Sequence, residues 1–315
     1  MTDARPVWVL ADPRAGTAAQ ALGIAERLDA PFRVIPLEWG PLARLPWPVP
    51  TLAGLTGAAR AGIRPPQGTP HWPRLVLSAR RRSAAAARWL ARLGARTVHA
   101  MRPGFGAAGF DLLVIGRHDA PAEAPNILPI LGACHRMSPR RLAEARAEWA
   151  ALAALPAPRV ALLLGSAARG EGLEPALAAG LAQQAAGLGG SVLATTSRRS
   201  GTAATLAVAA GLAGTPHRLH GWGSTGPNPY AGFLAWADII VATGDSVSML
   251  SEALATAAPL LIAETTEAPR HRRLWRSLYE AGQAHPFTPE AAPFARAPLD
   301  EVARVAATIR LRGWL

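Results

Sequence analysis

VATGDSVSMLSEALATAAPLLI, residues 241–262, reads as the end of a buried strand, a Gly-Asp-Ser turn, a helix of about three turns and a second apolar strand. At 100° per residue, Asp245, Ser248, Glu252 and Thr256 fall within about 80° of one another on the helical wheel. No basic residue shares that face, although the chain is rich in arginine. Val247, Leu250 and Leu254 take the opposite side and are expected to pack on the sheet. Asp245 and Ser246 precede the helix, where free backbone N–H groups attract phosphate or another anion. Glu252, two turns on, suits the hydroxyls of a ribose. The same spacing equally fits an N-cap at Asp245 or Ser246 with a solvated Glu252.

Outward from this stretch, short apolar strands alternate with helical patterns through almost the whole chain, the signature of parallel α/β sheets. Strands are expected near 7–10, 32–37, 74–78, 96–101, 111–115 and 126–130, with helices near 16–28 and 83–93. A Pro-Ala-Pro break at 156–158 ends a helix-rich stretch, and the pattern then restarts. Strands 159–164, 191–196, 238–243 and 259–263 follow, with helices at 173–187 and 201–212. This predicts two doubly wound Rossmann-like domains, residues 1–155 and 156–315, facing a central cleft, with ligands at the carboxyl ends of the strands. The last helix, near 298–310, is placed to pack back toward the first domain. Residues 40–73, rich in Pro, Gly and Trp, read as a long surface excursion.

Other strand ends carry the same chemistry. Ser197, Arg198 and Arg199 precede a helix with Ser200 as its expected N-cap, and paired guanidinium groups suit a diphosphate. Gly165 and Ser166 follow a strand and allow close backbone approach, as does Gly244. Tyr230, behind Asn228 and Pro229 at an expected helix start, is a stacking candidate or a packing anchor. In the first half, Asp12 ends one strand and His118 with Asp119 ends another; either is a candidate general base.

The chain has 315 residues, half of them hydrophobic, and a formal net charge of +12 carried by arginine with no lysine at all. A P-loop lysine, a pyridoxal Schiff base and the Tyr-x-x-x-Lys pair of short-chain reductases are thereby excluded. The positive excess points to an anionic partner: a phosphorylated small molecule or an acidic membrane surface. Nucleic acid is not expected, since no recognition motif accompanies the charge. GFGAAG at 104–109 matches a dinucleotide fingerprint, but a strand follows it where the fingerprint needs a helix. No metal site is expected, because His217 and His220 lack further ligands and no Asp-x-Asp pair occurs. One cysteine, Cys134, and the lack of a signal-peptide pattern suggest a reducing, cytoplasmic setting.

NPYAGFLAWADIIVATGDSVSMLSEALATAAPLLI (228–262) resembles the mitochondrial fission ELM (elongated mitochondria) family. AGTAAQALGIAERL, RRSAAAARWL, FDLLVIGRHDAP, GACHRMSP and TSRRSGTAA extend the resemblance over nearly the whole chain. Two turns depart from the family's pattern: Arg80-Arg81-Arg82 stands where Gly-Arg-Arg is usual, and Gly165-Ser166 where Gly-Gly is usual. The resemblance implies a two-domain architecture like that of GT-B glycosyltransferases. In those enzymes the C-terminal domain holds a nucleotide-sugar, and a helix with a Ser/Glu pattern touches its phosphates and ribose. The polar face at 245–256 would then look into a donor cleft.

Two functions follow as expectations. One is a metal-independent transferase that binds a nucleotide-sugar, without any cofactor. The other is a non-catalytic adaptor on the same scaffold, peripheral on a membrane and engaged with a protein partner.

Overall fold

The computed structural model describes residues 6–45, 47–65, 72–165 and 172–315. Its chain forms two compact units. The first runs to Arg136 and is completed by Glu301–Leu315; the second is Met137–Asp300.

In the first unit, β1 (Val7–Ala11), α1 (Ala15–Glu26), β2 (Phe32–Pro36), α2 (Gly57–Gly62), β3 (Leu75–Ala79), α3 (Arg80–Ala91), β4 (Arg96–Ala100), β5 (Leu112–Gly116) and β6 (Ile127–Ile130) follow in order. The strands pair in parallel as β2-β1-β3-β4-β5-β6. Alternation along β1 shows why the strands are apolar throughout. Val7 and Val9 join α1 residues Ala21 and Ile24 on one face, while Trp8 and Leu10 join α3 residues Ala84, Ala87 and Leu90 on the other. The 104–109 glycines make a short turn, which leads into β5 as its sequence context required.

The second unit comprises α4 (Pro139–Glu148), β7 (Arg159–Leu164), α5 (Pro175–Ala186), β8 (Ser191–Thr196), α6 (Thr202–Gly211), β9 (His217–His220), α7 (Tyr230–Trp236), β10 (Ile239–Thr243), α8 (Val247–Ala253), β11 (Leu260–Ala263), α9 (Pro269–Glu280) and β12 (His285–Pro286). Its sheet is parallel in the order β12-β11-β10-β7-β8-β9. Each sheet therefore reverses its winding once, between β1 and β3 in the first unit and between β7 and β10 in the second. Crevices at such reversals, beyond the carboxyl ends of the strands, are where open α/β sheets hold ligands.

The division falls at Met137, earlier than the Pro-Ala-Pro break near 155. The cause is α4, which packs on α7: Trp149 lies so close to Gly232 that a Cβ there would come within 2.4 Å of the indole. Pro156 also belongs to the second unit, its carbonyl accepting the Ser191 hydroxyl at 2.6 Å. The last helix, α10 (Glu301–Leu311), lies in the first unit. Val302, Val305, Ala306 and Ile309 enter the core around α1, and Glu301 accepts the Leu131 N–H at 2.7 Å.

Candidate functional site

Along the second sheet β10, β7 and β8 are adjacent, so the residues after them form one polar edge at the winding reversal. Gly165 follows β7, and its N–H donates to Thr243 Oγ1 at 2.7 Å, tying the ends of β7 and β10 together. A Cβ at Gly165 would lie 2.6 Å from Asp245 Oδ2, so glycine is what lets that carboxylate close over the strand end. Ser166 lies outside the described residues.

The turn after β8 is stitched to the same place. Ser200 Oγ donates to the carbonyls of Leu164 and Gly165 and accepts the Ser197 N–H at 2.9 Å. Ser197 Oγ in turn accepts the Arg199 N–H at 3.2 Å. Ser200 is therefore not the N-cap expected for the following helix; Gly201, at φ 86°, holds that position. The reason is competition: a buried serine hydroxyl between two strand ends finds acceptors there before it reaches the helix. Arg198 and Arg199 stand exposed on this turn, and neither guanidinium group has a hydrogen bond or ion pair to a described residue.

The stretch after β10 departs from its expected form. α8 has 7 residues, two turns rather than three, so Asp245 and Thr256 lie off the helix and only Ser248 and Glu252 share its polar face. Ser246 is the N-cap, accepting the Met249 N–H at 3.4 Å. Asp245 and Ser246 are buried and Ser248 is exposed. Leu250 and Leu254 pack inward as expected, whereas Val247 is only partly covered. A basic residue does reach this segment, from far along the chain. Arg296 donates to the carbonyls of Ala253 and Ala258 at 2.8 and 2.7 Å and to Thr256 Oγ1 at 3.3 Å. It satisfies the carbonyls at the carboxyl end of α8, the favourable end for a cation. Burial lowers its guanidinium to about 10.

Glu252 is neither solvated nor free. Tyr230, from the start of α7, donates its hydroxyl to Glu252 Oε2 at 2.7 Å. Desolvation raises the Glu252 carboxyl to about 7, against the opposing pull of the Tyr230 hydrogen bond and of Arg141. The tyrosine is driven well above its usual range by the same burial and by the carboxylate. Tyr230 is thus held as a hydrogen-bond donor. Asn228 Oδ1 accepts the Tyr230 N–H at 3.0 Å, so Asn228 and Pro229 form the turn into α7 rather than its first residues.

His271 is carried by α9. It lies within electrostatic reach of Asp245 and Arg199, and burial lowers its pKa, with Arg270 adding to the effect. Its Nδ1 and the Thr265 Oγ1 after β11 are buried atoms without a hydrogen-bond partner among the described residues. Gly244 serves packing: its carbonyl accepts Trp275 Nε1 at 2.8 Å, and a Cβ would strike that ring at 2.4 Å.

The acid–base candidates of the first unit are not brought together. Asp12 ends β1 and His118 follows β5, three strand spacings away, about 14 Å at the usual separation of paired strands. Asp12 is buried and accepts the Arg14 N–H at 2.8 Å. His118 and Asp119 do face each other, Nε2 to Oδ2 at 3.6 Å, although they are sequence neighbours. Arg102, after β4, donates to the carbonyls of Asp119 and Ala120 and fixes this turn.

Similarity to known proteins agrees with this plan. The Arabidopsis thaliana mitochondrial fission protein ELM1 is 29% identical over 240 residues, 65% of this chain. The chain spans 56% of that relative's length. The UDP-GlcNAc 2-epimerase of Methanocaldococcus jannaschii, solved with UDP-GlcNAc and UDP, superposes with a TM-score of 0.55 at 11% identity, covering 98% of this chain and all (100%) of its own. Os79 from O. sativa, in complex with UDP, gives 0.53 at 13% identity, covering 98% and 92%. MurG of Acinetobacter baumannii gives 0.50 at 13% identity, with the same coverage of 98% and 92%. These likenesses show the fold, two Rossmann-like units of the GT-B kind. The sequence profile of the family described as mitochondrial fission ELM1 matches residues 15–312, and the chain belongs to that family.

Proposed function

We propose that the second unit binds a nucleotide-sugar at the carboxyl ends of β7, β8 and β10. The observation that carries this reading is the convergence of three strand ends at the winding reversal, which brings the turn of Arg198 and Arg199, whose guanidinium groups have no partner among the described residues, to the same sheet edge as Asp245 and Ser246. Guanidinium groups bind phosphate oxygens through charge-assisted, bidentate hydrogen bonds, so the two arginines take the diphosphate. Tyr230 occupies Glu252 Oε2, and Oε1 is left to accept a ribose hydroxyl. Thr265 Oγ1 and His271 Nδ1, buried without a hydrogen-bond partner among the described residues, supply further polar contacts after β11 and on α9. Proteins of this fold solved with UDP or UDP-GlcNAc support the same ligand class.

The chemistry such a site favours is transfer of a glycosyl group with the nucleoside diphosphate as leaving group. Negative charge grows on the departing phosphate, and guanidinium groups that bind its oxygens stabilise it more in the transition state than in the ground state.

Thermal denaturation of the purified chain with UDP-, GDP-, ADP- and CMP-sugars tests the binding step. A ligand at a hundred times its dissociation constant adds about 2.7 kcal/mol to stability. A shift for one nucleotide class, lost in Glu252→Ala and in Arg198→Ala/Arg199→Ala, is the expected result. No shift with any of the four classes overturns the proposal.

A further inference from the structure

The first unit carries its own concentration of unbalanced charge at its winding reversal. β1 and β3 are neighbours there, and their carboxyl ends lead into Arg14 and into Arg80, Arg81 and Arg82. The four arginines are close enough to depress the Arg80 pKa, through its desolvation first and then through Arg14, Arg82 and Arg81; Asp12 is the one opposing charge among the described residues. No hydrogen bond or ion pair ties any of the four guanidinium groups to a described residue. Several arginines elsewhere have protein partners: Arg96 pairs with Asp111, Arg136 with Glu26, and Arg296 with three carbonyls.

The placement also runs against helix electrostatics. Arg80, Arg81 and Arg82 form the first turn of α3, the positive end of the helix dipole, where acidic residues are favoured and none is present. A cluster that is repulsive within itself, repelled by its own helix and held in the ligand crevice of its sheet is explained by an anion that binds it.

We propose that the β1/β3 crevice of the first unit is a binding site for a phosphorylated ligand, a phosphate monoester or diphosphate, held by Arg14, Arg80, Arg81 and Arg82. The charge count selects the class. Four guanidinium groups against one carboxylate leave three positive charges, which a single carboxylate would not balance and a di- or trianionic phosphate group would. The site does not depend on nucleotide binding by the second unit, so either can fail alone.

Isothermal titration of the full chain with inorganic pyrophosphate, in 150 mM salt, tests it. Arg81→Gln removes an exposed guanidinium, and Arg80→Gly removes another at φ 73°, a backbone angle glycine adopts without strain, so both variants keep the fold. Each is expected to weaken one class of pyrophosphate site about tenfold, the effect of losing a charge-assisted hydrogen bond. Arg198→Gln/Arg199→Gln is expected to leave that class unchanged, and acetate at matched ionic strength to give no saturable heat. Pyrophosphate binding that is intact in both first-unit variants, or abolished by the Arg198/Arg199 change alone, overturns the proposal. Acetate binding as tightly as pyrophosphate overturns the assignment to phosphate.

Discussion

Tyr230 and Glu252, 22 residues apart, share a hydrogen bond of 2.7 Å between α7 and α8. The pair links the two helices that flank β10, and it makes the second unit sensitive to pH. The carboxyl titrates near 7 in the folded chain against an ordinary 4.5, so the folded state holds the proton more tightly than the unfolded one. Its stabilising contribution is full below about 4.5 and is lost as the pH rises through about 7. The midpoint of thermal unfolding should therefore fall between pH 5 and pH 8 in the native chain. In Glu252→Gln this component disappears, and the pH 8 midpoint should exceed that of the native chain. Equal slopes in the two proteins would dissociate Glu252 from the effect.

Gly165→Ala places a methyl group 2.6 Å from the Asp245 carboxylate. The carboxylate has to move, so the variant should lose roughly 1–3 kcal/mol of stability, the usual range for overpacking. Its nucleotide affinity should fall with it. Chemical denaturation and the nucleotide shift, measured on the same preparation, check both.

Ser200→Ala leaves two strand-end carbonyls and the Ser197 N–H without the hydroxyl that joins them. A cost of about 1–3 kcal/mol is expected, chiefly from the Gly165 carbonyl, because the Leu164 carbonyl still accepts the Ser197 N–H at 3.0 Å. Hydrogen exchange should quicken at Ser197 and Leu173, whose amides depend on this turn. Unchanged exchange there would show that the backbone alone keeps the turn.

Arg80→Gly should stabilise the chain by about 1 kcal/mol, because an L-residue in the left-handed region bears a steric cost that glycine avoids. Arg80 sits at φ 73°. The related family usually has glycine at this position, and the backbone angle explains why. Denaturant midpoints of the two chains settle the sign.

Much of this architecture was legible because its strands are buried on both faces. VWVL, LVLSA, LLVIG and IIVAT are apolar runs that end in Gly, Asp or Arg turns, and each became a strand within a residue or two of its expected limits. β9 escaped notice for the opposite reason. His217–His220 lies at the sheet edge with half its residues exposed, so no apolar pattern marks it. The length of α8 was over-read because the apolar and polar periodicity continues past Ala253, while the helix ends there. The carbonyls freed at that end are taken up by Arg296, 40 residues beyond Thr256, a partner that spacing within the segment does not reveal. The same limit hid the Tyr230–Glu252 pair and His271. Their partners are set by which helices meet over the sheet, a tertiary property.

The contribution of α10 to the first unit has a consequence for synthesis. Val302, Val305, Ala306 and Ile309 complete a core whose other members were made at the beginning of the chain. Residues 137–300 form an unbroken segment and a compact unit, which can fold as it leaves the ribosome. The first unit, though most of it precedes the second in sequence, keeps an open apolar face until residues 302–309 are released. Birth order and order of completion are reversed, and a chain without residues 301–315 forfeits the unit that lies farther from them in sequence.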